Sequence, residues 1–335
     1  MKPIFIFLLF LISSFNFAQI ELKGTVSDVN NIPLPNVAIY VNGTTIGTTS
    51  DFDGKFSLVL PSQLNTYVVI SYIGYKPQYF SIEDKSFELD IILIDDRIEL
   101  KEVTMKKGLF SRQEMLALFK EYFLGKTEAG LNCTILNEDD IYFKYDEDYY
   151  ILNAFSETPL LIENNYLGYK IEYTLLKFEC VLNRLSINSD NVSSSFFGGT
   201  SNFVDVDSSI EKLTRRENSY KGSTLHLFRN LKQNKWSKEE FLLFGEAFIL
   251  EPKDYFQVSN NKVTVKEYKK DPSKKKHVAT FTVMYNKKQF SKLTFLTNSF
   301  TIDSFGLFSD YDKIYFSGDL SNKKIGDMLP SNFGL

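Results

Sequence analysis

Histidine, cysteine and tryptophan are almost missing from this chain: two, two and one in 335 residues. Two histidines, His226 and His277, cannot build a metal-spaced His cluster. Cys133 and Cys180 lie too far apart for a zinc signature. The cysteines leave two options, one disulfide in an oxidising compartment or two isolated thiols, because sequence does not place their Cα atoms within bridging reach. The chain has no P-loop and no dinucleotide fingerprint. A formal charge of −4 lacks the basic excess of a nucleic-acid binder. No stretch reaches the ~20 apolar residues that a bilayer-spanning helix needs. The expectation is therefore a protein without cofactor, metal, nucleic-acid partner or transmembrane segment in its mature form.

The longest apolar run is at the start. Lys2 precedes Ile4 to Ile12, and Ser13 to Gln19 form a more polar exit with Ala18 near its end. A charged start, a short apolar run and a small-residue exit read as a secretory signal, with cleavage after Ala18 or Gln19. Residues 1–19 are expected to be absent from the mature protein. No Cys follows the apolar run, which argues against lipoprotein processing.

What is abundant is aromatic: 31 Phe and 19 Tyr, which favour strands whose rings pack on a pleated face. From Ile20 to Ile94 short alternating runs recur: Leu22 and Val26; Val37, Ile39 and Val41; Phe56, Leu58 and Leu60; the denser Tyr67–Tyr72; and Phe87, Leu89 and Ile91. Turn signals at Asn30-Asn31, Asn42-Gly43, Asp53-Gly54, Gly74 and Lys76-Pro77 separate them. This spacing reads as an antiparallel β-sandwich. Asp51-Phe52-Asp53-Gly54 resembles the opening of a calcium loop, but the twelfth position is Ser62 rather than the Glu that an EF-hand requires. The segment is read as a tight turn with Gly54 at positive φ.

The segments GTVSD, PLPNVAIYV, GTTSDFDGKFSL and YVVISYIGYK together resemble the carboxypeptidase-regulatory-like domain of exported Bacteroidetes proteins. The resemblance implies a transthyretin- or immunoglobulin-like sandwich without catalytic residues, of the kind often found ahead of TonB-dependent receptors. About 240 residues follow it here, too few for a plug and a large barrel, so a standalone form is expected. A zinc carboxypeptidase needs His-x-x-Glu; the residue three after His226 is Arg229, which removes that activity. Arg97 to Met105 resembles the exit strand and linker that follow this module. FLGKTEAGLNCTILN, LGYKIEYTLLKFE, RRENSYKGSTLHLFRNL and IYFSGDLSNKKIGDMLP are similar to a domain that follows the module in other exported proteins, and that similarity carries no mechanism.

Beyond Gly108 a helix is predicted at Ser111, where Ser111-x-x-Glu114 is a capping box and Met115, Leu118, Phe119, Tyr122 and Phe123 share a face. Period-two runs follow at Ile141–Tyr145, Tyr169–Leu175 and Ala279–Tyr285. Helical patterns interrupt them near Ile210–Tyr220, Thr224–Leu231 and Lys238–Phe244, with caps at Ser223 and at Ser237 with Glu240. The fold class expected is mainly β: a sandwich at 20–105, then an α+β domain at 106–335 with an antiparallel sheet and a few helices.

Candidate chemistry concentrates in Arg215, Arg216, Tyr220, Ser223, His226 and Arg229. Three arginines near a helix N-terminus could hold an anion by paired hydrogen bonds; equally, they could bond carbonyls or carboxylates of the sheet. His226 decides between these: a cleft shared with Arg215 or Arg216 favours a ligand site or enzyme, packing under the sheet favours a scaffold. Ser223 and His226 lack a nucleophile elbow and read as cap and neighbour. The acidic residues Glu138–Asp140 and Asp146–Asp148 read as solvated turns. Tyr142, Tyr149, Tyr150, Tyr166, Tyr169 and Tyr173 could form a sugar-stacking platform, or core and cross-strand packing. Lys266, Lys269, Lys270, Lys274 to Lys276 and His277, broken by Asp271-Pro272-Ser273, read as a solvated hairpin tip, with contact to acidic lipid or glycan as the alternative. The functional expectation is a non-enzymatic exported protein, periplasmic or outer-membrane associated, that binds or scaffolds an envelope protein or glycan. The alternative is an envelope enzyme or an anion- or glycan-binding protein working through the arginine and histidine cluster.

Overall fold

The computed structural model describes residues 20–60, 66–81, 88–96, 109–246, 248–268 and 277–335. The expected signal segment, the junction at 97–108, Phe87 and the lysines at 269–276 lie outside the described residues. Apolar side chains gather into three cores.

The first core belongs to seven strands: β1 (Ile20–Asp28), β2 (Ala38–Val41), β3 (Gly47–Thr49), β4 (Lys55–Leu60), β5 (Tyr67–Ser71), β6 (Gln78–Ser81) and β7 (Glu88–Leu93). They form two facing sheets ordered β4-β1-β7 and β3-β2-β5-β6. The alternation read in the sequence is the reason: Phe56, Leu58 and Leu60 point inward while Lys55, Ser57 and Val59 face solvent. One pairing departs from the antiparallel expectation. β7 lies parallel to β1, from Lys23 opposite Glu88 to Asp28 opposite Leu93. The chain changes sheets between β4 and β5 and again before β7, so β7 returns to the free edge of β1 in the same direction. The Asp51–Gly54 turn is structural: Asp53 and Lys55 N–H donate to Asp51 Oδ1 at 2.9 and 2.8 Å, and Gly54 takes φ +74°.

The second core is covered by α1 (Arg112–Phe123), which has the capping box predicted from Ser111 and Glu114. Its buried face, Leu118, Phe119 and Phe123, lies on a six-stranded sheet. The strands are β8 (Cys133–Ile135), β9 (Ile141–Asp146), β10 (Ile151–Ser156), β11 (Leu160–Asn164), β12 (Tyr169–Leu182) and β13 (Val192–Asp205). β12 is the spine: its start pairs with β11, its end with β10, and its whole opposite edge with β13. Phe119 meets Phe143 and Phe178 edge-on, at centroid distances of 5.8 and 4.7 Å.

The third core begins after α2 (Ile210–Tyr220) with α3 (Thr224–Gln233), whose Leu227, Phe228 and Leu231 are buried. Around it run β14 (Phe241–Gly245), β15 (Phe248–Leu250), β16 (Phe256–Ser259), β17 (Lys262–Val265), β18 (Ala279–Tyr285), β19 (Gln289–Phe295), β20 (Ser299–Thr301) and β21 (Ile314–Gly318), in sheets ordered β15-β14-β18-β19-β21 and β16-β17-β20. The helix predicted over Lys238–Phe244 is not formed. Ser237 still accepts from Glu240 N–H, but the Glu240 carboxylate turns to Asn230 instead of closing the capping box. Phe241 and Leu243 then alternate inward with Leu242 and Phe244 outward, as β14 pairs with β18.

The sandwich is joined to the rest by hydrogen bonds and a ring. Gly43 N–H donates to Ser201 O at 2.7 Å, and Phe203 N–H to Thr44 O at 3.0 Å, so the β2–β3 turn extends the outer edge of β13. Ser331 N–H donates to Gly43 O at 2.7 Å, and Asn332 Nδ2 to Thr45 Oγ1 at 2.9 Å. Phe305, only 7% exposed, enters the sandwich core itself.

Candidate functional site

The sequence cluster straddles a hinge between two helices. α2 ends at Tyr220, Lys221 and Gly222 turn the chain, and Ser223 caps α3 by accepting from His226 N–H at 3.1 Å. Gly222 sits at φ +67°, and a Cβ there would lie 2.5 Å from Gln289 Oε1 and 2.8 Å from Tyr285 Cδ1. Only glycine fits both the backbone and the space.

The hinge sends the arginines in two directions. α2 lies across the turn between β11 and β12, and its basic residues take the carbonyls of that turn in order. Lys212 Nζ donates to Asn165 O at 2.5 Å, Arg215 to Tyr166 O at 3.4 Å, and Arg216 to Leu167 O and Gly168 O at 2.8 and 3.1 Å. Arg216, 2% exposed, also forks onto Asp205 with two bonds of 2.8 Å and donates to Asp207 O at 2.8 Å. Its guanidinium stacks 3.9 Å from the centre of the Tyr169 ring. Its Nη1 also reaches Ser208 Oγ at 3.4 Å, so all five N–H donors of the guanidinium are engaged inside the chain. Those Arg216 bonds hold the Asp205 carboxyl below the usual carboxylate range. Arg215 pairs with Glu211 at 2.5 Å and lies over Tyr166.

Arg229, on α3, points to the end of the chain. Its Nε donates to Phe305 O at 2.9 Å, Nη1 to Phe333 O at 2.9 Å and Nη2 to Ser331 O at 2.8 Å. Tyr220 stands between Arg229, whose Cζ is 5.3 Å from its ring centre, and His226 at 4.7 Å. Thus Tyr220, Ser223, His226 and Arg229 are neighbours, whereas Arg215 and Arg216 serve another surface.

His226 packs among Tyr220, Phe241 and Tyr285, on the strands β14 and β18. Its Nδ1 accepts from Gly222 N–H at 3.2 Å, which leaves the proton of the neutral ring on Nε2, 4.0 Å from Glu240. Burial pushes its pKa down, against the opposing pull of Glu240 and Glu217. A lowered folded value means that the unfolded chain takes up a proton the fold resists. Stability from this group is complete above the unfolded value and declines as pH falls toward the folded one. Urea midpoints are expected to drop between about pH 7 and 5, and His226→Asn to flatten that slope. An unchanged slope in the variant would assign the effect elsewhere.

Residues that the sequence reading did not single out complete the arrangement. Lys323 Nζ donates to Ser219 O and Lys221 O at 2.6 and 2.7 Å, tying down the end of α2. Lys232 Nζ donates to Asn261 Oδ1 and Ile302 O at 2.7 and 2.9 Å. Local signals for these do not exist, since the partners lie up to 104 residues away. The other candidate groups are dispersed. Tyr169 and Tyr173 are buried in the second core while Tyr142 and Tyr149 are exposed, so the six tyrosines form no common platform. Asp146 accepts from Asp148 and Tyr149 N–H within its own turn. Both cysteines are free thiols, and burial pushes each up to about 12. Among the described residues no group of three His, Cys, Asp or Glu could hold a metal ion, and no helix is long and apolar enough to cross a membrane.

Comparison with known proteins places the sandwich in a family. Residues 22–105 match the CarboxypepD_reg-like domain. The first part of this chain is therefore such a domain, and the arginine–histidine region lies wholly outside it. The TonB-dependent receptor SusC of Bacteroides thetaiotaomicron is 38% identical over 87 residues, covering 26% of this chain and 8% of the receptor. Two TonB-dependent receptors of Formosa agariphila are 39% identical over 103 residues and 33% over 107, covering 29% and 31% of this chain and 10% of each receptor. The chain thus spans a tenth or less of the length of these relatives.

Proposed function

We propose that this protein is a non-enzymatic accessory protein of the cell envelope, with a CarboxypepD_reg-like sandwich fixed to an α+β unit that scaffolds an envelope protein or glycan. The envelope setting is supported by the match of the sandwich to segments of TonB-dependent receptors. The observation that carries the non-enzymatic reading is the use of the polar cluster. Arg216 and Arg229 donate to carbonyls and a carboxylate of their own chain, and His226 is packed on β14 and β18. Such groups position segments; they do not converge around a point where a substrate atom could sit. Cell fractionation with N-terminal sequencing tests the setting. The protein is expected in the envelope fraction with a new N-terminus near residue 20. Recovery from the cytoplasm with Met1 in place would overturn the reading.

A further inference from the structure

The five-stranded sheet of the third core has two faces, and helix α3 covers only one. Strand pairing places Leu242 opposite Met284 and Met284 opposite Phe290; the next row runs Ile249, Phe244, Thr282, Lys292 and Ser317. These residues alternate with the buried Phe241, Leu243, Val283 and Leu293, so they share the outer face. Leu242, Phe244, Ile249, Met284 and Phe290 form one apolar corner of that face. Among the described residues, none of the five is a member of the three cores or of the partly buried groups packed against them. Phe290 and Ile249 are 52% and 56% exposed.

Three lysines border the corner. Lys287 and Lys288 occupy the tight turn between β18 and β19, where Asn286 and Lys287 both take positive φ, and Lys292 stands in the adjoining row. Among the described residues no ion pair includes any of the three. Asp319 accepts from Phe290 N–H at 2.6 Å and Glu240 O from Asn286 N–H at 2.9 Å, which fixes both ends of the hairpin. Exposed apolar side chains beside exposed ammonium groups are complementary to a surface that is apolar beneath and negative on top. An interfacial element binds a bilayer by these two terms together.

We propose that the β18–β19 hairpin and the apolar corner around Met284 and Phe290 dock this protein peripherally on an anionic lipid surface. Phe290 and Met284 enter the headgroup layer while Lys287, Lys288 and Lys292 meet lipid phosphates. The biological setting rests on the envelope reading above, but the docking is a property of the purified protein and is tested without it.

The test is vesicle co-sedimentation of the protein recovered after export. Vesicles of pure phosphatidylcholine are compared with vesicles containing phosphatidylglycerol. Binding is expected only to the anionic vesicles and should fall steeply when salt is raised, as screening shortens the reach of the lysines. Replacing Lys287, Lys288 and Lys292 with Gln should weaken partitioning on the order of 100-fold. Phe290→Ser should weaken it about tenfold. The four sites are exposed or half-exposed, and unchanged melting temperatures would confirm that the variants fold. Absence of binding to anionic vesicles overturns the proposal. So does equal binding to both vesicle types that the variants leave unchanged. A dimer in light scattering that Phe290→Ser dissolves, without vesicle binding, would instead assign the face to a second copy and also overturn it. A protein that fractionates with the envelope yet ignores vesicles refutes the docking alone.

Discussion

Arg216→Ala is expected to destabilise the protein by about 3–5 kcal/mol, the largest loss of any single polar substitution. The side chain links three segments that are separate in sequence: the turn between β11 and β12, the end of β13, and α2 itself. Removing it strands the carbonyls of Leu167 and Asp207 and leaves Asp205 without its charged partner, while Gly168 O keeps the N–H groups of Val206 and Asp207. A buried acceptor deprived of its donor incurs its full desolvation penalty. Asp205 is 38% exposed and can recover water, which keeps the loss at the scale of one broken pair. Arg216→Lys should not restore stability, because an ammonium cannot fork onto a carboxylate while reaching three carbonyls. Asp205 also provides a pH signature. Its folded pKa is depressed, so its contribution is complete above the unfolded value and disappears as pH falls through the folded one. Urea unfolding of wild type and both variants at neutral and acid pH measures each effect. A loss below about 1 kcal/mol for Arg216→Ala would show that the clamp is dispensable.

Phe305→Ala is expected to cost a similar amount, about 3–5 kcal/mol for a buried Phe, and the damage should appear far from the substitution. The loop carrying Phe305 is preformed: Asp303 Oδ1 accepts from Phe305 and Leu307 N–H at 2.8 and 2.9 Å, and Gly306 takes φ +87°. Arg229 fixes the loop to α3 through Phe305 O. The ring then fills part of a core that includes Leu22, Val37, Ile39, Leu58 and Ile70. Deleting it opens a cavity inside the sandwich. Hydrogen exchange should accelerate in β2 and β5, more than 200 residues earlier in the chain. Exchange that changes only around residues 303–308 would show that the sandwich core does not depend on the ring.

The elements legible in the sequence are those whose signal is local. α1 has a capping box and an apolar face of period 3.6, and both are realised. Alternation in β4, β12 and β18 likewise predicts which residues turn inward. Where two local signals compete, sequence misleads. Ser237-x-x-Glu240 reads as a helix start, but Glu240 finds a nearer use with Asn230, and the alternating Phe241–Phe244 run follows the sheet. The parallel placement of β7 was not legible, because it depends on the path of the chain between sheets. The arginine cluster was found as residues but not as geometry. Fifteen positions contain three arginines and a histidine, yet one turn at Gly222 sends Arg216 and Arg229 to different surfaces. Their partners, at 167–168 and 305–333, follow no short-range pattern.

The insertion of Phe305 also sets an order of events in time. N-terminal domains ordinarily fold first as a chain emerges from the ribosome. This sandwich cannot complete its core in that way, because one of its core residues and the Ser331–Asn332 clasp on Gly43 and Thr45 are synthesised near the end. Its closing contacts span nearly the whole sequence, and such long loops close slowly. The N-terminal module therefore reaches its final state only when the whole polypeptide is present. Synthesis of the first hundred residues alone does not commit it to the fold.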